Sequence, residues 1–240
     1  MQDFSNKTIR EIALEMPQTI PVFEDLRIDY CCGGRRPFAE VCQNAGIDPD
    51  MLSEKLLSAV AANECFQREK SSASELIDHI IAKHHVFTVN EIERLRGLFH
   101  KVCDRHGKQH PELFHVRDIF EDMAEEMVCH MRKEEHALFP FIKRLELATE
   151  GSSQVPPPPF GTVQAPIRMM MMEHDAAAEQ FREMRDVSLD YQLPADACPS
   201  FTGLYFGLQN LEKDLHRHVH LENNVLFPQA LELEEQVLAG

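Results

Sequence analysis

The sequence predicts an all-α protein, an up-down four-helix bundle preceded by a small helical module. Three observations carry that expectation. No segment of the 240 residues alternates apolar and polar side chains with the two-residue period of a strand. Apolar residues recur instead at steps of three and four along four long stretches. Two short connections and one longer, breaker-rich one join those stretches, which suits antiparallel neighbours.

Charge and composition narrow the function. Lys+Arg 24 against Asp+Glu 40 leaves a net charge of −16, which repels phosphate backbones and anionic lipid heads, so neither a nucleic acid nor a membrane is an expected partner. A hydrophobic content of 43% with 27% charged residues is that of a globular chain. No apolar run approaches the roughly 20 residues of a membrane span, and Met1 to Lys7 has no apolar signal core. Seven cysteines, an odd count without framework spacing, read as reduced thiols of a cytoplasmic protein. Thirteen histidines, about one residue in eighteen, are the unusual feature.

Residues 1–66 form the small module. Ser5 or Asn6 is expected to cap a helix from Thr8 to Met16, which Pro17 ends. The turn Cys31-Cys32-Gly33-Gly34 follows, then a helix from Phe38 to Ala45 closed by Gly46. Asp48-Pro49 opens a third helix with Leu52, Leu56, Leu57 and Val60 on one face. Gln67 to Ser74 reads as a linker. The bundle occupies 74–240. Its first helix runs from about Ser74 to Cys103, with Ser72 and Glu75 spaced as a capping box and Gly107 as the stop. The second runs from about Pro111 to Leu147, the third from about Pro166 to Leu189, and the fourth from about Ser200 to beyond Glu222. The Pro-rich stretch 151–161 connects the second and third.

An internal repeat carries the chemistry. Phe120, Met123, Met127, His130, Glu134 and Leu138 step by 3, 4, 3, 4 and 4, and Leu208, Leu211, Leu215, His218, Glu222 and Leu226 step identically. Both runs finish in Phe-Pro, at Phe139-Pro140 and Phe227-Pro228. At 3.6 residues per turn each run is one stripe, so its His and Glu face inward. Burying such a pair is costly unless a salt bridge or a metal ion compensates, and two pairs at identical offsets favour the metal. His85 lies 45 residues before His130, and His174 lies 44 before His218, as two similar hairpins around one site would place them. His85 also continues a stripe of Ile77, Ile81, Val89 and Ile92. Four imidazoles and two carboxylates are too many for zinc's usual four-ligand shell and favour a di-iron centre, with di-manganese behind it.

Other candidates are set apart. His84 turns about 100° away from His85 and reads as a surface group or an outer support of the ligands. His106, 21 residues beyond His85, is about 31 Å along a continuous helix and is left outside the centre. His110, His115, His136, His216 and His220 fall off the stripe and read as surface residues. Met169 to Met172 read as flexible core packing. Cys31 and Cys32, expected to be accessible in their Gly-rich turn, are the candidate thiol relay, and Cys42, Cys65, Cys103, Cys129 and Cys198 are assigned to packing.

The motifs His130-Met-Arg-Lys-Glu134-Glu-His-Ala-Leu-Phe-Pro140 and His218-Val-His-Leu-Glu222-Asn-Asn-Val-Leu-Phe-Pro228, with Glu173-His174-Asp175, resemble hemerythrin-like domains. Val22-Phe-Glu-Asp-Leu-Arg-Ile-Asp-Tyr30-Cys31-Cys32-Gly33-Gly34 resembles the amino-terminal domain of the repair-of-iron-centres (RIC, ScdA-like) proteins. The resemblance implies a cytoplasmic protein with two non-haem iron ions, oxo- and carboxylate-bridged, that restores enzymes whose iron–sulfur clusters were damaged by nitrosative or oxidative stress. It makes His85, His130, His174 and His218 terminal iron ligands and Glu134 and Glu222 the bridges. Expected partners are proteins with damaged clusters, with nitric oxide as a ligand or substrate; a homodimer is left open. Iron donation is the first reading. Nitric oxide reduction to nitrous oxide is the alternative, and oxygen or iron sensing a third.

Overall fold

A computed structural model describes residues 4–31, 34–62, 72–149 and 161–239. Among the described residues every regular element is helical, and no helix is long and apolar enough to cross a membrane.

In the module, Thr8 caps α1 (Ile9–Glu15) in place of the expected Ser5 or Asn6. Its hydroxyl accepts the Glu11 N–H at 3.2 Å while the Glu11 carboxylate accepts the Thr8 N–H at 2.7 Å, a reciprocal capping box. A short helix that periodicity missed, α2 (Ile20–Asp25), follows a 3₁₀ turn at Pro17–Thr19. The predicted α3 (Phe38–Ala45) ends on Gly46 at φ 65°, and Asp48 caps α4 (Pro49–Ala62) by accepting the Asp50 and Met51 N–H groups. Phe4, Ile9, Ile12, Phe23, Phe38, Leu52 and Leu56 form the module's own core.

Each predicted bundle helix is present, and three contain a π turn. The first is α5 (Ala73–His79), a π turn at Ile80–His85, and α6 (Val86–His106). The second is α7 (Glu112–Lys133), a π turn at Glu134–Leu138, and α8 (Phe139–Thr149). The third, α9 (Gln164–Val187), is regular. The fourth is α10 (Pro199–Leu221), a π turn at Glu222–Leu226, and α11 (Phe227–Ala239). The Ser72–Glu75 capping box forms as expected, and Glu146 also caps α5, accepting the Ala73 and Ser74 N–H groups at 2.7 and 3.0 Å.

The wider turns have a cause in the repeat. Pro140 and Pro228 lack an N–H, and their rings would meet the carbonyl four residues earlier in a regular helix. A π turn directly before each Phe-Pro lets the helix continue past the ring. The π turn at Ile80–His85 shifts the inward stripe, so Val89, expected inside, is 44% exposed while Thr88 is buried. Helices α6 and α10 approach closely at Gly207, where a Cβ would come within 2.7 Å of the Leu95 side chain.

The bundle has two apolar clusters. One holds Phe99, Phe120, Phe181 and Phe201, and the other Ile77, Phe139, Phe141 and Phe227. On each helix the predicted His and Glu residues fall where one cluster gives way to the other.

The module packs on its own bundle. Arg217 of α10 donates two hydrogen bonds to the buried Glu24 carboxylate, both at 2.6 Å, and the Tyr30 hydroxyl donates to the same carboxylate at 3.1 Å. The Tyr30 ring lies edge-on to His220 at 5.3 Å. Arg27 pairs with Asp190, which sits in a turn where Leu189, Asp190 and Tyr191 have φ of 50°, 62° and 57°. Left-handed backbone costs about 1–2 kcal/mol per residue, so packing must hold it. The buried Tyr191 ring, edge-on to Tyr205 at 5.6 Å, supplies that packing.

This docking corrects the expectation for the candidate thiols. Cys31 is buried, 4% exposed, within the bundle's apolar cluster, and its thiol donates to Asp29 at 3.3 Å. Cys32 and Cys65 lie outside the described residues, as do residues 67–71 of the expected linker Gln67 to Ser74, whose last two residues instead open α5. Cys129, assigned to packing, is exposed.

Arg217→Ala leaves the buried Glu24 carboxylate with the Tyr30 hydroxyl alone, a loss of about 2 kcal/mol of docking energy. Alkylation of Cys31, followed by mass spectrometry of the folded protein, is expected to quicken about tenfold or more in that variant. An unchanged rate would mean the clasp does not hold the module down.

Candidate metal centre

The six predicted residues converge. His85, Glu134, His218 and Glu222 form one group, and His130, Glu134, His174 and Glu222 another, with one ligand atom per residue inside 4.8 Å in each. All six side chains are buried, the two carboxylates completely. Both Glu residues belong to both groups. Glu134 places Oε1 at 3.3 Å from His130 Nε2 and Oε2 at 3.5 Å from His85 Nε2. Glu222 places Oε1 at 2.8 Å from His218 Nε2 and Oε2 at 3.1 Å from His174 Nε2. Each carboxylate thus gives one oxygen to each half of the centre.

The donor set fits a pair of cations. His85 and His218 face each other through Nε2 at 3.2 Å, as His174 and His130 do at 3.0 Å. Two ring nitrogens at right angles around an ion, with bonds of about 2.1 Å, stand about 3.0 Å apart. Both Glu134 oxygens and Glu222 Oε2 are buried with no hydrogen-bond partner among the described residues, so their lone pairs are free for a cation.

Outer partners orient three of the four rings. Glu135 Oε1 accepts from His85 Nδ1 at 2.7 Å, Glu173 Oε2 from His130 Nδ1 at 2.8 Å, and Asn223 Oδ1 from His174 Nδ1 at 3.0 Å. A proton fixed on Nδ1 leaves the inward Nε2 as a lone-pair donor. Sequence reasoning assigned no role to Glu135, Glu173 or Asn223. The signal was present: Glu135 follows Glu134, Asn223 follows Glu222, and Glu173 precedes His174.

Other histidines sort differently. His84, read as a surface group or an outer support of the ligands, is not at the surface: it is buried, donates to both Asp214 oxygens at 3.0 and 3.1 Å, and lies parallel to His218 at 5.7 Å and 7°. His106 is outside both ligand groups, buried beside Phe201 with Asp196 at 3.7 Å. His220, expected at the surface, is buried and accepts from the Asn224 amide at 2.9 Å. His115 and His136 are exposed as predicted. In the methionine run only Met170 is fully buried; Met169 and Met172 are exposed and line an apolar cavity of about 610 Å³ whose wall includes His130 and Glu173.

Electrostatics link the centre to pH. Burial opposes a charge on His85, but the Glu134 and Glu222 carboxylates 3.5 and 4.0 Å from its Nε2 outweigh it and raise its pKa to about 10. Burial likewise opposes a charge on His130, and Glu134 outweighs it, for a value of about 9. Burial and Glu222 push Glu134 upward, yet His130 and His85 bring it below the usual carboxylate range. Burial also opposes ionisation of Glu222, which His218, His174 and His85 hold well below that range. His218 is lowered, chiefly by burial. Two imidazolium ions therefore balance two carboxylates when no metal is bound.

Residues 76–230 match the hemerythrin HHE cation binding domain, and residues 5–60 match ScdA_N, described as a domain of unknown function. A probable iron-sulfur cluster repair protein of Haemophilus influenzae is 31% identical, covering 95% of this chain and 98% of its own. Iron-sulfur cluster repair protein ScdA of Staphylococcus haemolyticus is 28% identical over 91% of this chain and 95% of its own. Iron-sulfur cluster repair protein YtfE of Escherichia coli is 31% identical over 95% and 98%.

A cation must expel the protons of His85 and His130, so ferrous iron added at pH 7 is expected to release about two protons per chain. Affinity should rise with pH and level off as pH passes through about 9 to 10, where both rings are already neutral. Titration in weakly buffered anaerobic solution measures the release. Affinity independent of pH between 6 and 8 would contradict the paired imidazolium–carboxylate state.

Proposed function

The chain belongs to the family of iron–sulfur cluster repair proteins and carries a hemerythrin HHE cation-binding domain, and on that premise we propose that it holds two iron ions and supplies iron to damaged clusters of client proteins. The observation that carries this reading is the sharing of Glu134 and Glu222 between two histidine pairs, one oxygen of each carboxylate facing each pair. His85 and His218 would hold one ion, His130 and His174 the other, with both carboxylates bridging. Damage of clusters by nitrosative or oxidative stress is the circumstance in which such a supply is needed, and the cytoplasm, where such client enzymes work, is the proposed location.

Iron is the cargo, and the residues suit both loading and release. Each half offers two imidazole nitrogens and two carboxylate oxygens. That is fewer than the six positions iron commonly fills, so each ion keeps sites where an accepting ligand can enter before the protein's own bonds are lost. As iron leaves, His85 and His130 take up protons and pair with the carboxylates, so the emptied centre stays neutral and folded. The candidate relay thiol of Cys31 lies buried between module and bundle, so its part in transfer requires the module to move.

One observation favours a second activity at the same centre. The apolar cavity of about 610 Å³ against His130 suits a small uncharged molecule such as nitric oxide, whose reduction to nitrous oxide would need an electron donor.

Iron per chain after anaerobic purification should be close to two in the wild type and fall sharply in Glu134→Ala/Glu222→Ala. The wild type alone should then reactivate an enzyme whose cluster has been stripped of iron. Zinc or no metal after ferrous reconstitution would overturn the reading. Catalytic nitrous oxide with no reactivation would move the assignment to nitric oxide reduction.

A further inference from the structure

We propose that the two halves of the centre hold iron unequally, and that the half formed by His85 and His218 is the one that releases it first, with His84 as the residue that sets the difference. The inference rests on the two-iron reading above and concerns how that site works.

The repeat makes the two halves comparable residue by residue. His174 and His85 occupy equivalent places, 44 and 45 residues before the histidine of the next motif. The residue before His174 is Glu173, whose carboxylate accepts from His130 Nδ1 at 2.8 Å and is itself paired with Lys133. The residue before His85 is His84. It makes no hydrogen bond to His218; its ring lies parallel to that imidazole, and its Nδ1–H turns outward to Asp214. His218 Nδ1 is consequently buried with no partner among the described residues.

The backbone differs at the two positions as well. Glu173 and His174 sit in the regular helix α9, whereas His84 and His85 close the π turn at Ile80–His85. A carboxylate is replaced by a ring, and the ring is aimed elsewhere.

An anionic partner on the outer nitrogen makes an imidazole a better donor, and loss of such a partner typically costs 10–100-fold in metal affinity. In the half containing His130 and His174, both rings are held, by Glu173 and by Asn223. In the half containing His85 and His218, only His85 is held, by Glu135. The weaker half also lies on α10, where Arg217 and His220, the residues on either side of the His218–Val219 pair, contact Glu24 and Tyr30 of the module. The ion that leaves most readily is thus bound on a helix that carries the clasp to the cysteine-bearing module.

The test is iron release from fully loaded, anaerobic wild-type chain to excess ferrozine, with ⁵⁷Fe supplied as the first equivalent and natural iron as the second. Two phases of equal amplitude are expected, at least about tenfold apart in rate, with the label concentrated in the slow one. His84→Glu/Asp214→Asn supplies the missing carboxylate without adding net charge and should slow the fast phase towards the slow one. Glu173→Gln should accelerate the slow phase and leave the fast one. A single phase in the wild type, or label divided evenly between the phases, overturns the proposal, and these two readings need no variant to fold. Two phases that neither variant shifts would remove the role of His84. A chain that never loads two irons would instead fail the two-iron reading itself.

Discussion

Two carboxylates with no exposure to water, shared by four imidazoles, constrain the rest of the molecule. Glu134 and Glu222 face the same interior, and each raises the cost of ionising its neighbour. Their charge survives there because protonated His85 and His130 balance it, or because cations do. Four helices are needed to bring those imidazoles together, since one helix can offer only a His and Glu one turn apart. The two apolar clusters on either side exclude water from this belt, and Pro140 and Pro228 force a π turn at each carboxylate.

Most of this is legible in the amino-acid sequence, for a physical reason. A charged pair on an apolar stripe is expensive, so its recurrence at identical offsets could not be incidental, and His85, His130, Glu134, His174, His218 and Glu222 do converge. What stayed hidden depended on departures from the regular helix or on partners distant in sequence. A 3.6-residue period places Val89 inside, because it cannot register the extra residue between Ile80 and His85. Glu135 and Asn223 look like solvated neighbours of the carboxylates until the opposing helices are in place. Thr8 outcompetes Ser5 and Asn6 as a cap because only Thr8 has Glu11 three residues on to close the box.

The position of the module was the least legible feature. Glu24 and Arg217 are separated by 193 residues, and nothing local marks either as a partner of the other. The pairing nevertheless accounts for several local oddities together. Glu24 can be buried because a guanidinium and a phenol satisfy it. The left-handed turn at Leu189–Tyr191 carries Asp190 to Arg27, and its conformational cost is offset by the buried Tyr191 ring. Cys31 is withheld from solvent by the same contact. A Gly-rich turn suggested an accessible thiol pair; the bundle covers at least one member.

An internal repeat of this kind also separates what folding requires from what function adds. Positions that must match for the bundle to close do match: the apolar steps, the HxxxE spacing and the Phe-Pro ends. Positions that touch only the outer side of the imidazoles are free to differ, and they do, with Glu135 opposite Asn223 and His84 opposite Glu173. If the centre served only to lock the helices together, symmetric support would be the more stable arrangement, since every buried ring nitrogen would be satisfied. Among the described residues, His218 Nδ1 is instead left without a partner in the middle of the bundle. An unsatisfied buried group is a standing cost to stability, of about 1–3 kcal/mol. Such a cost is more readily retained where a weaker ligand is useful, as the proposed supply of iron would make it.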